Sequence, residues 1–331
     1  MRVLVVGGTR FLGLHVVWRL LALGHAVTLF NRGTRADPFG ARVERARGDR
    51  TAGDLGRWLR GRRFDAVVDL AAYEARDAEE VVHDLDGGHY VVISTGQVYL
   101  VREGCPRPAR EEDYEGPLLP EPPRDHADHR EWAYGMGKRG VEDALSAAPG
   151  LPSTRLRIPM VNGPGDYLRR LEGYLWRLTD GGPLVLPDGG GHRLRHVYVA
   201  DVAAAVVALL GREAAFGRAY NLCQPETPTL VEVLRLVAGL LGGTPRLVAV
   251  PRAALEAAGL DPVAVSPFSG RWMSFLEPGR AERELGFRAT PLEAYLRVVV
   301  DAFLSAAPAE PPPAYAGRAR EVELAGRAPG A

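Results

Sequence analysis

Residues 3–13 read Val3-Leu4-Val5-Val6-Gly7-Gly8-Thr9-Arg10-Phe11-Leu12-Gly13. Four apolar residues make a short strand, and the glycines after them make a turn. The apolar positions Leu12, Val16, Val17, Leu20 and Leu21 then recur at the spacing of a buried helix face. Gly24 is placed to end that helix. A strand feeding a tight glycine turn into a helix N-terminus gathers backbone N–H groups and the positive helix end at one point, which suits a pyrophosphate. Gly7 permits the turn, and Gly13 lets the helix lie close against the strand. The alternative is a plain structural turn.

Outward from this unit, the same rhythm continues. Strand-like runs at residues 26–30, 43–46, 66–70 and 90–93 alternate with helical stretches. Continuous apolar strands separated by helices imply a parallel sheet covered on both faces, doubly wound. Residues 101–132 break the pattern; they are rich in Pro, Glu, Asp and Arg and read as a long surface loop, placed to cap a pocket. Regular structure resumes with a helix at 134–145 and a strand at 154–158. Further helices are expected at 201–210, 230–241, 252–258 and 291–304. The expected organisation is a dinucleotide-binding domain over 1–160, a smaller α/β substrate lobe over 161–306 with some elements returning to the first, and a loose tail over 307–331.

Composition narrows the function classes. The chain has 331 residues, 46% hydrophobic and 25% charged, enough to bury a full core. Lys+Arg and Asp+Glu are both 41, a balance that argues against nucleic acid or an anionic membrane as main partner. Cys105 and Cys223 are too few for a disulfide framework, which fits a reducing cytoplasm. The first apolar run stops at Val6, short of a signal peptide or a membrane span. A cytoplasmic protein with a small-molecule substrate is expected, and no metal: Asp125, His126 and His129 read as a solvated loop.

The end of the second strand discriminates between dinucleotides. A carboxylate there holds a ribose 2′-hydroxyl, whereas arginine accommodates a 2′-phosphate. This chain has Asn31-Arg32-Gly33-Thr34-Arg35, with no acid. Planar guanidinium forks at Arg32 and Arg35 suit a phosphate, so NADP is expected ahead of NAD. Further along, Tyr134-Gly135-Met136-Gly137-Lys138 puts a phenol and an ammonium four residues apart on one helix face. A phenol is a poor base near neutrality, its pKa about 10, and a neighbouring cation brings it into working range.

These motifs, in this order, resemble the extended short-chain dehydrogenase/reductase family, with its epimerases and dehydratases on a Rossmann sheet. The Gly7–Gly13 run is similar to the family's GxxGxxG signature, with Arg10 at the central glycine. The GGTRFLG form looks like that of an atypical branch that includes chloroplast stem-loop RNA-binding proteins. The resemblance implies cofactor contacts from Gly7, Thr9, Arg10, Phe11, Leu12 and Gly13, from Asn31, Arg32 and Arg35, from Asp49 and Arg50, from Ala71 and Ala72, and from Ser94 and Pro159. For Asp49 a turn or helix cap is the competing reading. Ser94-Thr95-Gly96-Gln97-Val98-Tyr99 is similar to the family stretch that ends its fifth strand. It implies Thr95, Tyr134 and Lys138 as the catalytic set. Gln97, Asn162 and one of Arg193 or Arg195 would face substrate. Family dehydratases carry Asp-Glu where this chain has Gly96-Gln97, which disfavours elimination. The implied activity is hydride transfer at a hydroxyl or keto carbon, of a nucleotide sugar or related molecule, by an epimerase or an oxidoreductase. A homodimer is also implied. A non-catalytic RNA-binding or NADP-sensing module is the competing class.

Overall fold

The computed structural model describes residues 1–306 and 310–327. Two compact units form. The first comprises Met1–Val161, Val197–Cys223 and Ser274–Ala289; the second comprises Asn162–His196, Gln224–Met273 and the described residues from Thr290 on.

In the first unit the strands are β1 (Arg2–Val6), β2 (Ala26–Asn31), β3 (Val43–Arg47), β4 (Ala66–Asp69), β5 (His89–Thr95) and β6 (Ser153–Ile158). The helices are α1 (Phe11–Ala22), α2 (Asp54–Leu59), α3 (Ala75–Asp84), α4 (Gln97–Leu100) and α5 (His129–Ser146). Short β7 (Val161–Asn162) straddles the chain boundary between the units, and β9 (Val197–Tyr198), α7 (Val199–Leu209), β10 (Arg218–Asn221) and α11 (Gly279–Leu285) come to the first unit from later in the chain. The sheet has seven strands in the order β10-β6-β5-β4-β1-β2-β3, every neighbouring pair parallel. The strand order reverses beside β1, where open α/β sheets carry ligands at the carboxyl ends of their strands. Alternate residues of each strand feed two apolar layers. Val3 and Val5 of β1 pack with Val16, Val17 and Leu20 of α1 and Val202 and Val206 of α7. Leu4 and Val6 pack with Leu55 of α2, Val81 of α3 and Val141 and Leu145 of α5. A strand buried on both sides must be apolar throughout, which is why these runs are continuous.

The second unit contains α6 (Arg170–Thr179), β8 (Leu184–Pro187), α8 (Leu230–Leu240), β11 (Leu247–Val250), α9 (Arg252–Ala257), α10 (Pro262–Val265), α12 (Leu292–Ala306) and α13 (Arg318–Gly326). β8 and β11 pair in parallel. Val185, Val248, Val250, Leu255, Val265 and Ala325 form an apolar core of this unit.

One expectation is corrected here. The C-terminal stretch is not a loose tail over its described length. α13 is anchored by Glu321, whose carboxylate takes Arg177 Nε at 2.8 Å and Nη2 at 2.5 Å, both side chains fully buried. Arg318 adds Asp180 at 2.7 Å. Residues 307–309 and 328–331 of the expected tail lie outside the described residues. Residues 101–119 run over the surface as expected, mostly exposed, but Val101, Ala109, Glu111 and Tyr114 are buried and pin the segment to the fold. Glu111 is buried and accepts from Asn221 N at 2.8 Å, and the Tyr114 ring lies under the guanidinium groups of Arg139 (3.7 Å) and Arg157 (4.4 Å). Charge-rich segments look solvated in a sequence, because the cations that pair with them lie far along the chain.

Candidate active site

The turn after β1 is built as a cradle. Gly7 adopts φ +100°, open to glycine and strained for other residues. A Cβ on Gly13 would lie 2.7 Å from Gly8 Cα, so α1 approaches β1 as closely as backbone allows. Arg10, at the helix cap, has extended backbone (φ −140°, ψ 145°), which any residue adopts. The arginine in place of the family's central glycine therefore strains nothing. α1 starts with no side-chain cap and no acid in its first turn, which leaves its positive end facing outward. Such a terminus fits a pyrophosphate. Thr9 and Leu12 are half-buried in this turn, and Phe11 is buried.

At the end of β2, Asn31 lies opposite Arg47 of β3 and its Oδ1 accepts from Arg47 Nη1 and from Gly33 N. Asn31 Nδ2 is buried with no hydrogen-bond partner among the described residues. Arg32, Arg35 and Arg47 are all exposed. Arg47 escaped the sequence reading, because only the β2–β3 register brings it beside Asn31.

Two expected cofactor residues already have partners in this structure. Arg50 bonds to Asp69 at 2.7 Å and to the Asp77 backbone oxygen at 2.7 Å, with Tyr90 Oη donating to Asp69. It braces the end of β4 and does not offer an open guanidinium. Asp49 Oδ1 accepts from Thr51 N and Oγ1 at 2.9 and 2.7 Å, the turn-capping role weighed as its alternative. Ser94 is also turned inward: its hydroxyl donates to Glu142, which is fully buried and paired with Arg157 at 2.6 Å.

Beyond β4 the chain continues Leu70-Ala71-Ala72-Tyr73. Ala71 N is fixed by Asp69 Oδ1 at 2.8 Å, and Tyr73 N by Asp77 Oδ2 at 2.7 Å. This connection presses on α5. A Cβ on Gly137 would stand 2.5 Å from the Tyr73 carbonyl oxygen, so the helix comes that close only with glycine there. The close approach delivers the Ala72 carbonyl to Lys138, whose Nζ donates to Ala72 O at 2.6 Å and to Ile93 O at 2.8 Å. Lys138 is buried, and burial pulls its pKa down to about 8, against the raising influence of the Asp69 and Glu142 carboxylates. One turn earlier stands Tyr134, half-buried, its ring 5.9 Å from the ammonium. Tyr73 completes the group. Its ring is 4.9 Å from Lys138 Nζ and 6.4 Å from the Tyr134 ring, and it is 52% exposed. Two aromatic rings thus bracket one ammonium.

Thr95 ends β5, buried, with its Oγ1 accepting from Gln97 N at 3.3 Å. Gln97 starts α4, and its side-chain amide donates to Glu131 of α5. Thr95, Tyr134 and Lys138 are thus all in the first unit, at the carboxyl edge of β4 and β5 and on the helix packed there. Pro159 is buried directly after β6.

The expected substrate residues Asn162, Arg193 and Arg195 belong to the second unit. Asn162 is buried, and its Nδ2 donates to His196 Nδ1 at 2.8 Å. Burial pushes the pKa of His196 down to about 3, so the imidazole is neutral. The guanidinium groups of Arg193 and Arg195 bond to the backbone oxygens of Thr227 (2.8 Å) and Pro225 (3.2 Å).

The sequence matches the NAD dependent epimerase/dehydratase family over residues 3–98 and 80–223, most of the chain and all of its sheet. The chain belongs to that family. It is similar to a 2'-dehydrokanamycin reductase of Streptomyces kanamyceticus, 26% identical over 291 residues, covering 86% of this chain and 78% of the relative. It is also similar to the chloroplast stem-loop binding protein of 41 kDa b of Arabidopsis thaliana, 29% identical over 237 residues. That match takes in 67% of this chain but 58% of the relative's length. The fold is like that of UDP-glucose 4-epimerase from Thermotoga maritima, solved with UDP-glucose: TM-score 0.72, 20% identity, covering 93% of this chain and 100% of that one. Membership makes the extended short-chain dehydrogenase/reductase fold expected from the sequence a finding. Among the described residues no helix is long and apolar enough to cross a membrane.

Proposed function

We propose that this family member reduces a keto carbon of a sugar with NADP as hydride carrier, Tyr134 being its acid/base. The observation that carries the reading is Lys138: an ammonium held by two backbone carbonyls at the carboxyl edge of the sheet, one turn from a phenol and beside the strand that ends in Thr95. A buried cation with an aromatic bracket is a costly way to build a helix contact and an effective way to lower a phenol's pKa.

A nicotinamide dinucleotide, when bound, supplies the hydride acceptor or donor. The chain supplies the rest. The backbone of Gly7–Gly13 and the α1 terminus would hold its pyrophosphate. Ala71 and Ala72 give it room to pass, and Pro159 lines the nicotinamide end. Asn31, Arg32, Arg35 and Arg47 would hold the adenosine end. With no carboxylate at the β2 terminus and three exposed guanidinium groups there, a 2′-phosphate is favoured over a free ribose hydroxyl. Thr95 orients the reacting oxygen by a hydrogen bond, and Tyr134 gives that oxygen a proton or takes one from it. Lys138 stabilises the phenolate left behind. Asn162 and one of Arg193 or Arg195 are proposed to face the rest of the substrate.

The similarity to a 2'-dehydrokanamycin reductase supports net reduction, and the family's epimerases support transient oxidation by the same residues. Chiral product analysis alongside nicotinamide absorbance separates these two. The defining experiment is Tyr134→Phe, expected to abolish turnover of keto sugars and leave the NADP(H) dissociation constant within about twofold. Full activity in that variant removes the acid/base. The stem-loop binding relative supports a second reading, RNA binding. Filter binding to generic RNA across a salt series tests it, since phosphate contacts weaken steeply with salt.

A further inference from the structure

We propose that Glu131 is a substrate-facing carboxylate, which accepts a hydrogen bond from an O–H or N–H group on the carbon beside the one that reacts. The inference rests on the hydride-transfer reading and adds to it a substrate class: sugars with a hydroxyl or amino donor next to the keto carbon.

The placement is the argument. Glu131 lies one turn before Tyr134 on α5, and Tyr134 one turn before Lys138, so the three share a helix face. Its carboxylate takes the Gln97 side-chain amide, and Gln97 in turn donates its backbone N–H to Thr95 Oγ1. Thr95, Gln97, Glu131 and Tyr134 therefore form a chain of neighbours around the place where the reacting oxygen binds. A carboxylate offers about four acceptor positions, and one amide fills one of them. The Gln97 amide is the one hydrogen-bond partner of this side chain among the described residues, and no cation pairs with it. The side chain is half-buried. Its remaining acceptor positions are therefore open to donors from water or from a bound ligand. The competing role is structural, since an acid in the first turn of a helix is favoured by the helix dipole. That role affects stability and does not discriminate among substrates.

The test uses keto sugars that differ only at the neighbouring carbon, which carries hydroxyl, ammonium or hydrogen. KM and kcat are read from nicotinamide absorbance for wild type, Glu131→Gln and Glu131→Asp, with NADPH affinity from fluorescence titration. A hydrogen bond to a charged group is worth a factor of about ten or more. Glu131→Gln should raise KM about tenfold or more for the hydroxyl sugar and further for the ammonium sugar. The hydrogen-bearing sugar and NADPH should bind as before, and Glu131→Asp should recover part of the loss. An equal effect on all three sugars, or none, overturns the assignment. Calorimetric binding of the same sugars to the NADPH complex of Tyr134→Phe, with and without Glu131→Gln, separates this inference from the reading beneath it. Wild-type turnover with Glu131-independent KM and binding sinks the inference alone. Glu131-dependent binding with no turnover sinks the hydride-transfer reading alone.

Discussion

Raising the pH through the deprotonation of Lys138 should switch off ketone reduction while the fold stays intact. The ordinary lysine value is 10.5 and the buried group sits at about 8, with burial the largest cause. At about 1.4 kcal/mol per pH unit, the site disfavours its own cation by about 3 kcal/mol relative to water. The value still leaves the ammonium charged near neutrality. Above about pH 8 the cation disappears and the phenol loses its stabilising neighbour. The logarithm of kcat/KM should then fall with a slope near −1, about a hundredfold by about pH 10. The stability effect has the opposite sign. Between about 8 and 10.5 the unfolded chain holds the Lys138 proton and the folded chain has released it, so this group's contribution to stability rises with pH. Loss of rate with an undiminished melting temperature is therefore the signature. Lys138→Met keeps the apolar stem without the charge; its rate should lie about a hundredfold or more below wild type, with no break near pH 8. A wild-type profile that stays flat to about pH 10, or a break that persists in Lys138→Met, refutes the reasoning.

Three further outcomes are expected. Gly13→Val places branched carbon where a single Cβ already meets Gly8 Cα at 2.7 Å, so α1 must move; about 1–3 kcal/mol of stability and most NADPH affinity should be lost, read by thermal melts and fluorescence titration. Glu321→Gln leaves Arg177 buried opposite a neutral group and should cost roughly 3–5 kcal/mol in urea unfolding, with faster proteolysis ahead of α13. Tyr73→Leu keeps cover over Lys138 but removes the ring face 4.9 Å away. A cation–π contact of about 0.5–1 kcal/mol should lower the alkaline break by about half a pH unit, whereas Tyr73→Phe leaves it in place.

The sheet was legible because its central strands are buried on both faces and their apolar runs admit few other structures. The α1 and α5 motifs could be read for a related reason: glycine turns and i, i+4 pairs are local in the chain. What escaped was set by distance. Arg177 meets Glu321 across 144 residues, so α13 looked like a charged tail. Arg50 looked open to a ligand because Asp69 and Asp77, which hold it, lie on later elements. Arg47, Tyr73 and Glu131 gained their neighbours from strand register and helix packing, which no spacing rule gives. The strands β8, β10 and β11 have four residues each, too short for periodicity to stand out.

Lys138 ties Ala72, just beyond β4, to Ile93, near the end of the adjacent β5. Its nitrogen therefore clasps the ends of two neighbouring strands. A neutral amine still has two N–H groups for these two carbonyls, so loss of the proton takes the charge from beside the phenol without breaking either tie. Holding two strand ends together is thus a duty of the nitrogen, and carrying a charge is a separate one.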